Sequence, residues 1–255
     1  MKVLAIDFRY QLSAFDRYFY LQQVEPWHAK KKRTPQDVLR LRSSKVLQAL
    51  ESKDTAVDGK ADKVKELTPD DCKTLSFILG KQYRSGRILR HHYYGFWAET
   101  VVFESDSLKY TEANAGSGEI AVALLVHRLK QAEPGTLVLL DEPEYSLHPG
   151  AQKNLLQFIL SQSLQKQLQI VFTTHSPTMI DGLPSEAIKV FEQDKLSDSF
   201  EIFQDRITEE AFLSIGHAVT NRTILRVEDA LAKEIIETLI DQFFPRDFAQ
   251  LVEVR

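Results

Sequence analysis

Only one cysteine, Cys72, occurs among the 255 residues, so the chain cannot form an internal disulfide. The first ten residues, MKVLAIDFRY, lack the long apolar stretch of a signal peptide. The strongest apolar run, at 137–140, is far shorter than the roughly 20 residues that a membrane-spanning helix requires. Together these absences predict a cytoplasmic protein with no membrane partner.

Neither sign of charge dominates the chain, because 32 lysines and arginines stand against 36 aspartates and glutamates, for a formal net charge of −4. With 43% hydrophobic and 27% charged residues, the composition is typical of a globular protein and excludes disorder, a collagen helix and a coiled coil. The distribution is uneven: residues 1–100 carry 19 basic and 12 acidic side chains, whereas 101–255 carry 13 and 24. The two parts therefore differ in sign, at +7 and −11.

Much of the positive excess of the first part comes from a run at 30–33 and from a second group at 84–92, where aromatic residues are interleaved between 83 and 97. Such runs are usually solvated loops, and a nucleic-acid contact is the alternative that the aromatic residues suggest. Both interpretations stay open on the sequence alone.

The pattern of apolar residues predicts an α/β fold. A buried strand is expected at 3–8. Thr-Pro pairs predict helix starts for helices at 36–52 and 69–81, and the pattern over about 12–95 indicates an inserted helical region. From residue 100 onward strands and helices alternate, which is typical of a parallel sheet with crossover helices. The expected strands are 100–104, 136–141, 169–174, 187–191, 200–203, 224–227 and 251–254, and the expected helices are 117–131, 150–165 and 229–242.

The most informative stretch is LVLLDEPE at 137–144, in which an apolar strand ends in two acids. Carboxylates at the carboxyl end of a sheet lie where α/β folds bind ligands. Asp141 is placed to contact Mg²⁺, and Glu142 is placed to polarise a water that attacks a γ-phosphate.

Two further motifs flank this strand. Upstream, NAGSGE at 114–119 is a small-residue loop that enters a helix, and backbone N–H groups in such a loop can meet a phosphate. Downstream, IVFTTHSP at 170–177 is an apolar strand that ends in polar residues, where His175 can hydrogen-bond a γ-phosphate or a water. Each motif is weak alone, and their order along the chain gives them weight.

In this order, AGSGE, LVLLDEPEYSLHP and FTTHSP resemble the signature loop, the Walker B strand with its D-loop, and the H-loop switch of ABC-type ATPases. Over about 113–191 the sequence is similar to the soluble branch of that family. This branch contains the OLD (overcoming-lysogenization-defect) nucleases and the PtuA ATPases of bacterial anti-phage Septu and retron systems. The start, VLAIDFRYQLSAFDRY, resembles the strand and loop that follow the Walker A helix, which makes Gln11 a Q-loop candidate.

The resemblance implies a role for each matching residue. The residues that would contact ATP, bound largely by a partner subunit, are Gly116, Ser117, Gly118, Glu119, Gln11, Ser146 and His148. Asp141 would hold Mg²⁺, Glu142 would be the catalytic base and His175 would sense the γ-phosphate. Gly116 stands where the family commonly has serine, so Ser117 must supply the hydroxyl. Because such sites are shared between subunits, a homodimer is expected.

No GxxxxGK[ST] string occurs in the chain, although such a loop normally supplies most of the affinity for phosphate. In the family's order this loop precedes the strand at which the sequence begins. We therefore expect a partial ABC-type P-loop NTPase core that is inactive alone, as a piece of a longer protein. The alternatives are that a separate chain supplies the loop or that nucleotide binding has been lost.

The last segment, TILRVEDA at 223–230, resembles the opening strand and glutamate of a Toprim nuclease domain, in which Glu228 would be a metal ligand. Asp229 replaces the usual glycine and no DxD follows, so the alternative, that Glu228 and Asp229 cap a helix, stays equally open. The expected organisation is an ATPase domain over 1–205 and an incomplete Toprim-like or dimerisation segment over 206–255.

The function that the resemblance implies is an ATP-binding and hydrolysing subunit that controls a nuclease in bacterial anti-phage defence. The alternative is a non-hydrolysing scaffold that binds DNA through the basic region 28–97 and retains only vestigial ATPase motifs. A transporter ATPase is disfavoured, because the DEPE and SLHP motifs resemble those of the soluble branch.

Overall fold

The computed structural model describes residues 2–8, 34–51, 61–62, 64–106, 108–194, 199–204, 208, 211–212, 223–244 and 252–254. The chain divides into two compact units, Met1–His175 and Ser176–Arg255. The elements of the first unit are β1 (Val3–Asp7), α1 (Pro35–Glu51), β2 (Lys65–Glu66), α2 (Pro69–Leu79), β3 (Ser85–His91), β4 (Ala98–Glu104), β5 (Lys109–Thr111), a 3-10 turn (Glu112–Asn114), α3 (Ser117–Gln131), β6 (Leu137–Asp141), α4 (Pro149–Lys166) and β7 (Gln169–Thr173). The predicted α/β fold class is confirmed.

A three-stranded parallel sheet of order β1-β6-β7 carries the acidic motif on its central strand. Its register places Asp7, Asp141 and Thr173 side by side at the carboxyl edge. One face of the sheet is buried through residues such as Val138 and Leu140. On the other face Val3 is 57% exposed, Leu139 38% and Val171 58%, although parallel sheets are normally covered on both faces.

A second, antiparallel sheet of order β2-β3-β4-β5 lies within the same unit. The strand β4 was expected in the parallel sheet, and that prediction is wrong, because β4 pairs with β3 and β5. The segment expected to be helical up to residue 95 contains α1 and α2 and also the strand β3. Arginines at 87 and 90 interrupt the apolar pattern of β3, whose Ile88, Leu89 and His91 are buried.

The helix-start signals of the sequence are confirmed. Thr68 and Asp71 form a reciprocal capping box at the start of α2, with the Asp71 N–H donating to Thr68 Oγ1 at 3.1 Å and the Thr68 N–H donating to Asp71 Oδ2 at 2.9 Å. The helix ends at Gly80, whose φ of 66° lies in the left-handed region that favours glycine. Thr34 similarly accepts the Asp37 N–H at the start of α1.

The second unit contains α5 (Pro177–Ile180), a 3-10 turn (Ser185–Ala187), β8 (Lys189–Asp194), β9 (Ser199–Gln204), β10 (Thr223–Leu225), α6 (Ala230–Phe243) and β11 (Val252–Val254). The strands β8 and β9, which were expected in the parallel sheet, instead form a separate antiparallel pair, so that prediction is wrong for them too. The strands β10 and β11 pair in parallel, joined through α6. This β-α-β order matches the prediction for 223–255. Across the described residues, no helix has the length and apolar character needed to cross a membrane.

Candidate functional site

The carboxyl edge of the parallel sheet holds a group of oxygen ligands. Thr173 donates its hydroxyl proton to Asp141 Oδ1 at 2.5 Å. The Glu142 N–H reaches both the Thr173 carbonyl, at 3.2 Å, and Thr173 Oγ1, at 3.1 Å. Thr173 thus fixes both acids of the DE pair, and Asp7 occupies the adjacent register position on β1.

Glu142 begins a tight turn with a backbone φ of 46°, in the left-handed region that non-glycine residues seldom adopt. The Tyr145 N–H donates to the Glu142 carbonyl at 3.0 Å, and the Leu147 N–H donates to the Glu144 carbonyl at 2.9 Å. We call residues 142–147 the acidic turn. Strain of this kind clusters at functional sites.

Glu142 and His175 meet at the same edge. His175 Nε2 lies 3.3 Å from Glu142 Oε1, with the His175 side chain 77% exposed and that of Glu142 only 19% exposed. The sequence predicted separate roles for these residues, Glu142 as catalytic base and His175 as the sensor of the γ-phosphate, and the structure places their side chains in contact. A half-buried carboxylate beside an exposed imidazole is suited to accept a proton and pass it on.

The small-residue loop lies against the acidic turn of the same chain. Gly116 is the N-cap of α3, Ser117 is exposed, and Gly118 is buried. A Cβ atom added to Gly118 would lie 2.8 Å from the Ser146 carbonyl oxygen and 2.8 Å from Leu147 Cδ2. Ser146 itself has a φ of 64°. Gly118 is therefore required for packing against the acidic turn, a reason that the sequence pattern did not reveal.

Glu119, an expected nucleotide contact, is engaged by three donors of its own chain. Its Oε1 accepts from the Tyr83 hydroxyl at 2.6 Å, from Lys81 Nζ at 3.1 Å, and from the Tyr110 hydroxyl. Burial, followed by the hydrogen bond to Glu119, raises the pKa of Tyr83 far above its usual range. This carboxylate fastens α3 to the antiparallel sheet.

A buried polar chain anchors the start of the small-residue loop. Glu112 accepts the Thr100 hydroxyl at 2.8 Å and the Val101 N–H at 2.9 Å, and Thr100 Oγ1 lies 2.8 Å from His91 Nε2. Since the Thr100 proton goes to Glu112, His91 must donate from Nε2. Burial, with a smaller effect from His92, lowers the pKa of His91 to about 4. The sequence analysis missed this neutral histidine.

His148, expected at the nucleotide or the dimer seam, is the N-cap of α4. Its Nδ1 accepts the Ala151 N–H at 3.2 Å, so Nδ1 carries no proton in this contact. The side chain is exposed. The cap explains the position of the ring.

The oxygen ligands at the sheet edge fit Mg²⁺. The edge offers the carboxylates of Asp7 and Asp141 and the hydroxyl of Thr173, which are hard donors. Within the described part of the chain, no group of three or more His, Cys, Asp or Glu residues is arranged to hold a metal. Mg²⁺ bound with nucleotide commonly takes one or two carboxylates, the remaining ligands being phosphate oxygens and waters.

The remaining predicted site residues are Gln11 and Glu228. Gln11 and the basic run at 30–33 lie outside the described residues. Glu228 is exposed between β10 and α6, whereas Asp229 caps α6 by accepting the Ala232 N–H at 2.7 Å. The capping interpretation is thus confirmed for Asp229.

Most of the basic and aromatic group at 83–97 has intramolecular partners. Arg84 pairs with Asp106, and Arg87 donates to the Leu50 carbonyl at 2.7 Å. Arg90 lies 4.9 Å from the centre of the Trp97 ring and 3.5 Å from Asp62. These intramolecular contacts give the three arginines of this group a structural role.

Comparison with known proteins supports an ATPase-type domain around this site. A family model described as "AAA domain, putative AbiEii toxin, Type IV TA system" matches residues 102–181. An OLD nuclease of Thermus scotoductus (strain ATCC 700910 / SA-01) is 25% identical over 146 residues, covering 53% of this chain and 28% of that protein. The chain thus spans less than a third of the length of this relative.

Two solved structures are similar over 52% of this chain. One comes from work on the ATP-driven dimerization and DNA-stimulated activation of SMC ATPases, with a TM-score of 0.37, 13% identity and 80% of that chain covered. The other is the Smc head domain of Pyrococcus furiosus, bound to the C-terminal domain of ScpA, with a TM-score of 0.34, 19% identity and 34% of that chain covered.

Proposed function

We propose that this chain is the catalytic part of an ATP-hydrolysing, dimeric switch that controls a nuclease. The observation that carries the proposal is the arrangement of Asp141, Glu142 and His175 at one sheet edge, with the Glu142 and His175 side chains 3.3 Å apart. The AAA-domain match over 102–181 includes all three residues.

In this proposal each residue at the edge has one task. Asp141, oriented by the Thr173 hydroxyl, would hold Mg²⁺ together with phosphate oxygens, and the ion would neutralise charge on the phosphates. Glu142 orients and deprotonates the attacking water. His175, whose side chain is 77% exposed, would hydrogen-bond the γ-phosphate and hold the Glu142 carboxylate in position.

The small-residue loop serves the nucleotide of a second copy. Gly116 and Ser117 are exposed at the amino end of α3, where N–H groups and the helix dipole favour an anion. Gly118 is buried against Ser146 of the same chain, so the loop and the acidic turn form one surface. Head-to-tail pairing of two such surfaces encloses two nucleotides between the copies.

The exposed apolar face of the parallel sheet supports a second part of the proposal, which concerns the phosphate-binding loop. Val3, Leu139 and Val171 leave an apolar face bare in a type of sheet that is normally covered on both sides. The 255 residues contain no GxxxxGK[ST] string. We assign this face to the lobe that carries the phosphate-binding loop, which in this proposal lies outside the 255 residues, and we expect the 255-residue chain to be inactive alone.

The nuclease assignment rests on the similarity to the Thermus scotoductus OLD nuclease. Toprim-type cleavage in cis, with Glu228 as a metal ligand, and a separate nuclease partner are both compatible with the ATPase role, and defence against phage is the biological setting that we propose. DNA binding through the basic group is less favoured, because Arg84 and Arg87 have partners within the chain.

The test is Mg²⁺-dependent ATP turnover by the protein purified from its own host, with an affinity tag placed in this chain at the genomic locus. Glu142→Gln should bind ATP and lose at least about 100-fold in kcat, and Glu133→Gln, an exposed carboxylate paired with Lys2, should not. The isolated 255-residue chain should turn over no faster than its Asp141→Ala variant. A wild-type rate for Glu142→Gln, or robust turnover by the isolated chain, would contradict the proposal.

A further inference from the structure

Glu144 is the second glutamate of the LLDEPE motif and has no place in the proposed reaction. Its side chain belongs to the acidic turn and is nevertheless buried, with 8% of the residue exposed. Carboxylates are seldom this deeply buried unless they are paired. The described residues place no basic side chain in a salt bridge with it.

The side-chain hydrogen bonds of Glu144 both go to residues that follow β7. Its Oε1 accepts the backbone N–H of His175 at 3.2 Å and also accepts the hydroxyl of Thr174. One carboxylate oxygen thus joins the acidic turn to the backbone that carries His175. The His175 ring in turn reaches Glu142, at the start of the same turn.

The second oxygen of Glu144 argues against a purely stabilising role. Glu144 Oε2 is buried and has no hydrogen-bond partner among the described residues. A buried acceptor left without a donor destabilises a fold, and such groups in native proteins call for a functional explanation. An apolar side chain would fill the space without that penalty.

We infer that Glu144 is a positioning residue that fixes His175 against Glu142 by holding the His175 backbone. The inference deepens the proposed function and rests on it for its catalytic meaning. Glu144 holds the His175 backbone amide, and the His175 ring contacts Glu142. Because both glutamates belong to the acidic turn, the turn sets the His175 ring against the base. Without this contact the segment after Thr173 is released from the acidic turn, and His175 is no longer aligned with the base.

The first experiment measures amide hydrogen exchange in the isolated 255-residue chain and needs no nucleotide. Glu144→Leu should speed exchange of the His175 amide by about tenfold or more, the equivalent of one lost hydrogen bond to a charged group. Glu144→Gln retains a carbonyl acceptor and should preserve the protection. The amide of Leu140, within β6, should exchange at the same rate in all three proteins and shows that the sheet is intact.

Thr174→Val supplies a second variant in case Glu144→Leu fails to fold. It removes the hydroxyl that helps to orient the Glu144 carboxylate, so the His175 amide should exchange faster, whereas Thr174→Ser keeps the hydroxyl and should behave as wild type. Unchanged His175 exchange in a folded Glu144→Leu protein, or in Thr174→Val, would overturn the inference. So would loss of protection in Glu144→Gln.

The second experiment uses the tagged protein from its host and measures ATP turnover. Glu144→Leu should lower kcat at least about tenfold with KM for ATP changed less than about twofold, and Glu144→Gln should restore the rate. If exchange of the His175 amide changes as predicted while the wild-type protein hydrolyses no ATP, the proposed function fails and the contact between Glu144 and His175 stands. If exchange and turnover are both unchanged in Glu144→Leu, the inference fails and the proposed function stands.

Discussion

Gly118 and Ser146 approach so closely that a Cβ atom on Gly118 would lie 2.8 Å from the Ser146 carbonyl oxygen. The contact joins the start of α3 to the acidic turn within one chain. Because the obstructing atom is backbone, a side chain at Gly118 cannot be accommodated by a rotamer change. The small-residue loop and the two acids are therefore placed relative to each other by direct packing.

The first prediction compares the same substitution at two glycines of this loop. Gly118→Ser should destabilise the chain by about 1–3 kcal/mol, because the added atoms overpack a closed contact. Gly116→Ser should change the free energy of unfolding by less than about 0.5 kcal/mol, since serine is a good N-cap. An added Cβ at Gly116 meets nothing within 4 Å. Urea unfolding measures both, and equal effects would contradict the packing role of Gly118.

The second prediction concerns the buried His91. Because its folded pKa is lowered from 6.5 to about 4, the folded state binds the proton less well than the unfolded state. The contribution to stability is therefore complete above pH 6.5 and is lost as the pH falls from 6.5 toward 4, by about 3 kcal/mol in all. His91→Asn should remove this pH dependence.

Urea unfolding at pH 7 and pH 5 tests the His91 prediction. His148→Asn is the control, since it removes an exposed imidazole and keeps an acceptor at the N-cap of α4. The control should follow the wild-type pH dependence. A wild-type slope in His91→Asn would show that another group, such as His127, whose pKa is also lowered chiefly by burial, dominates.

The third prediction separates the two interpretations of 228–229. Asp229→Ala should destabilise α6 by about 1 kcal/mol, because the side chain accepts the Ala232 N–H at 2.7 Å. Glu228→Ala should leave stability within about 0.5 kcal/mol, as is usual for an exposed residue. If Glu228 is a nuclease metal ligand, Glu228→Ala alone should abolish metal-dependent DNA cleavage by the host-purified protein.

Local signals in the sequence predicted many of the elements well. The Thr68-Pro69 pair located the start of α2, and the apolar run 137–140 followed by acids located β6 and its functional end. Strands and helices after residue 136 agree with the structure to within a few residues. These features depend on neighbouring residues, and so a linear pattern contains them.

Features that depend on distant residues could not be predicted in this way. The side-by-side placement of Asp7, Asp141 and Thr173 requires the strand order, although each strand ending in a polar residue was a usable signal. The hydrogen bonds that Glu119 accepts from Tyr83 and Tyr110 could not be predicted, because those tyrosines come next to it only in the fold. That Glu144 is buried while Tyr145 and Ser146 are exposed cannot be inferred from the sequence alone.

The most direct test of the central claim, that each nucleotide site is shared by two copies, mixes two inactive variants of the host-purified protein. Ser117→Arg blocks the exposed loop and Glu142→Gln removes the base. In a mixed dimer one site keeps both the intact base and the intact loop, so an equal mixture should recover about a quarter of the wild-type ATP turnover. A mixture no more active than its two components would contradict a shared site.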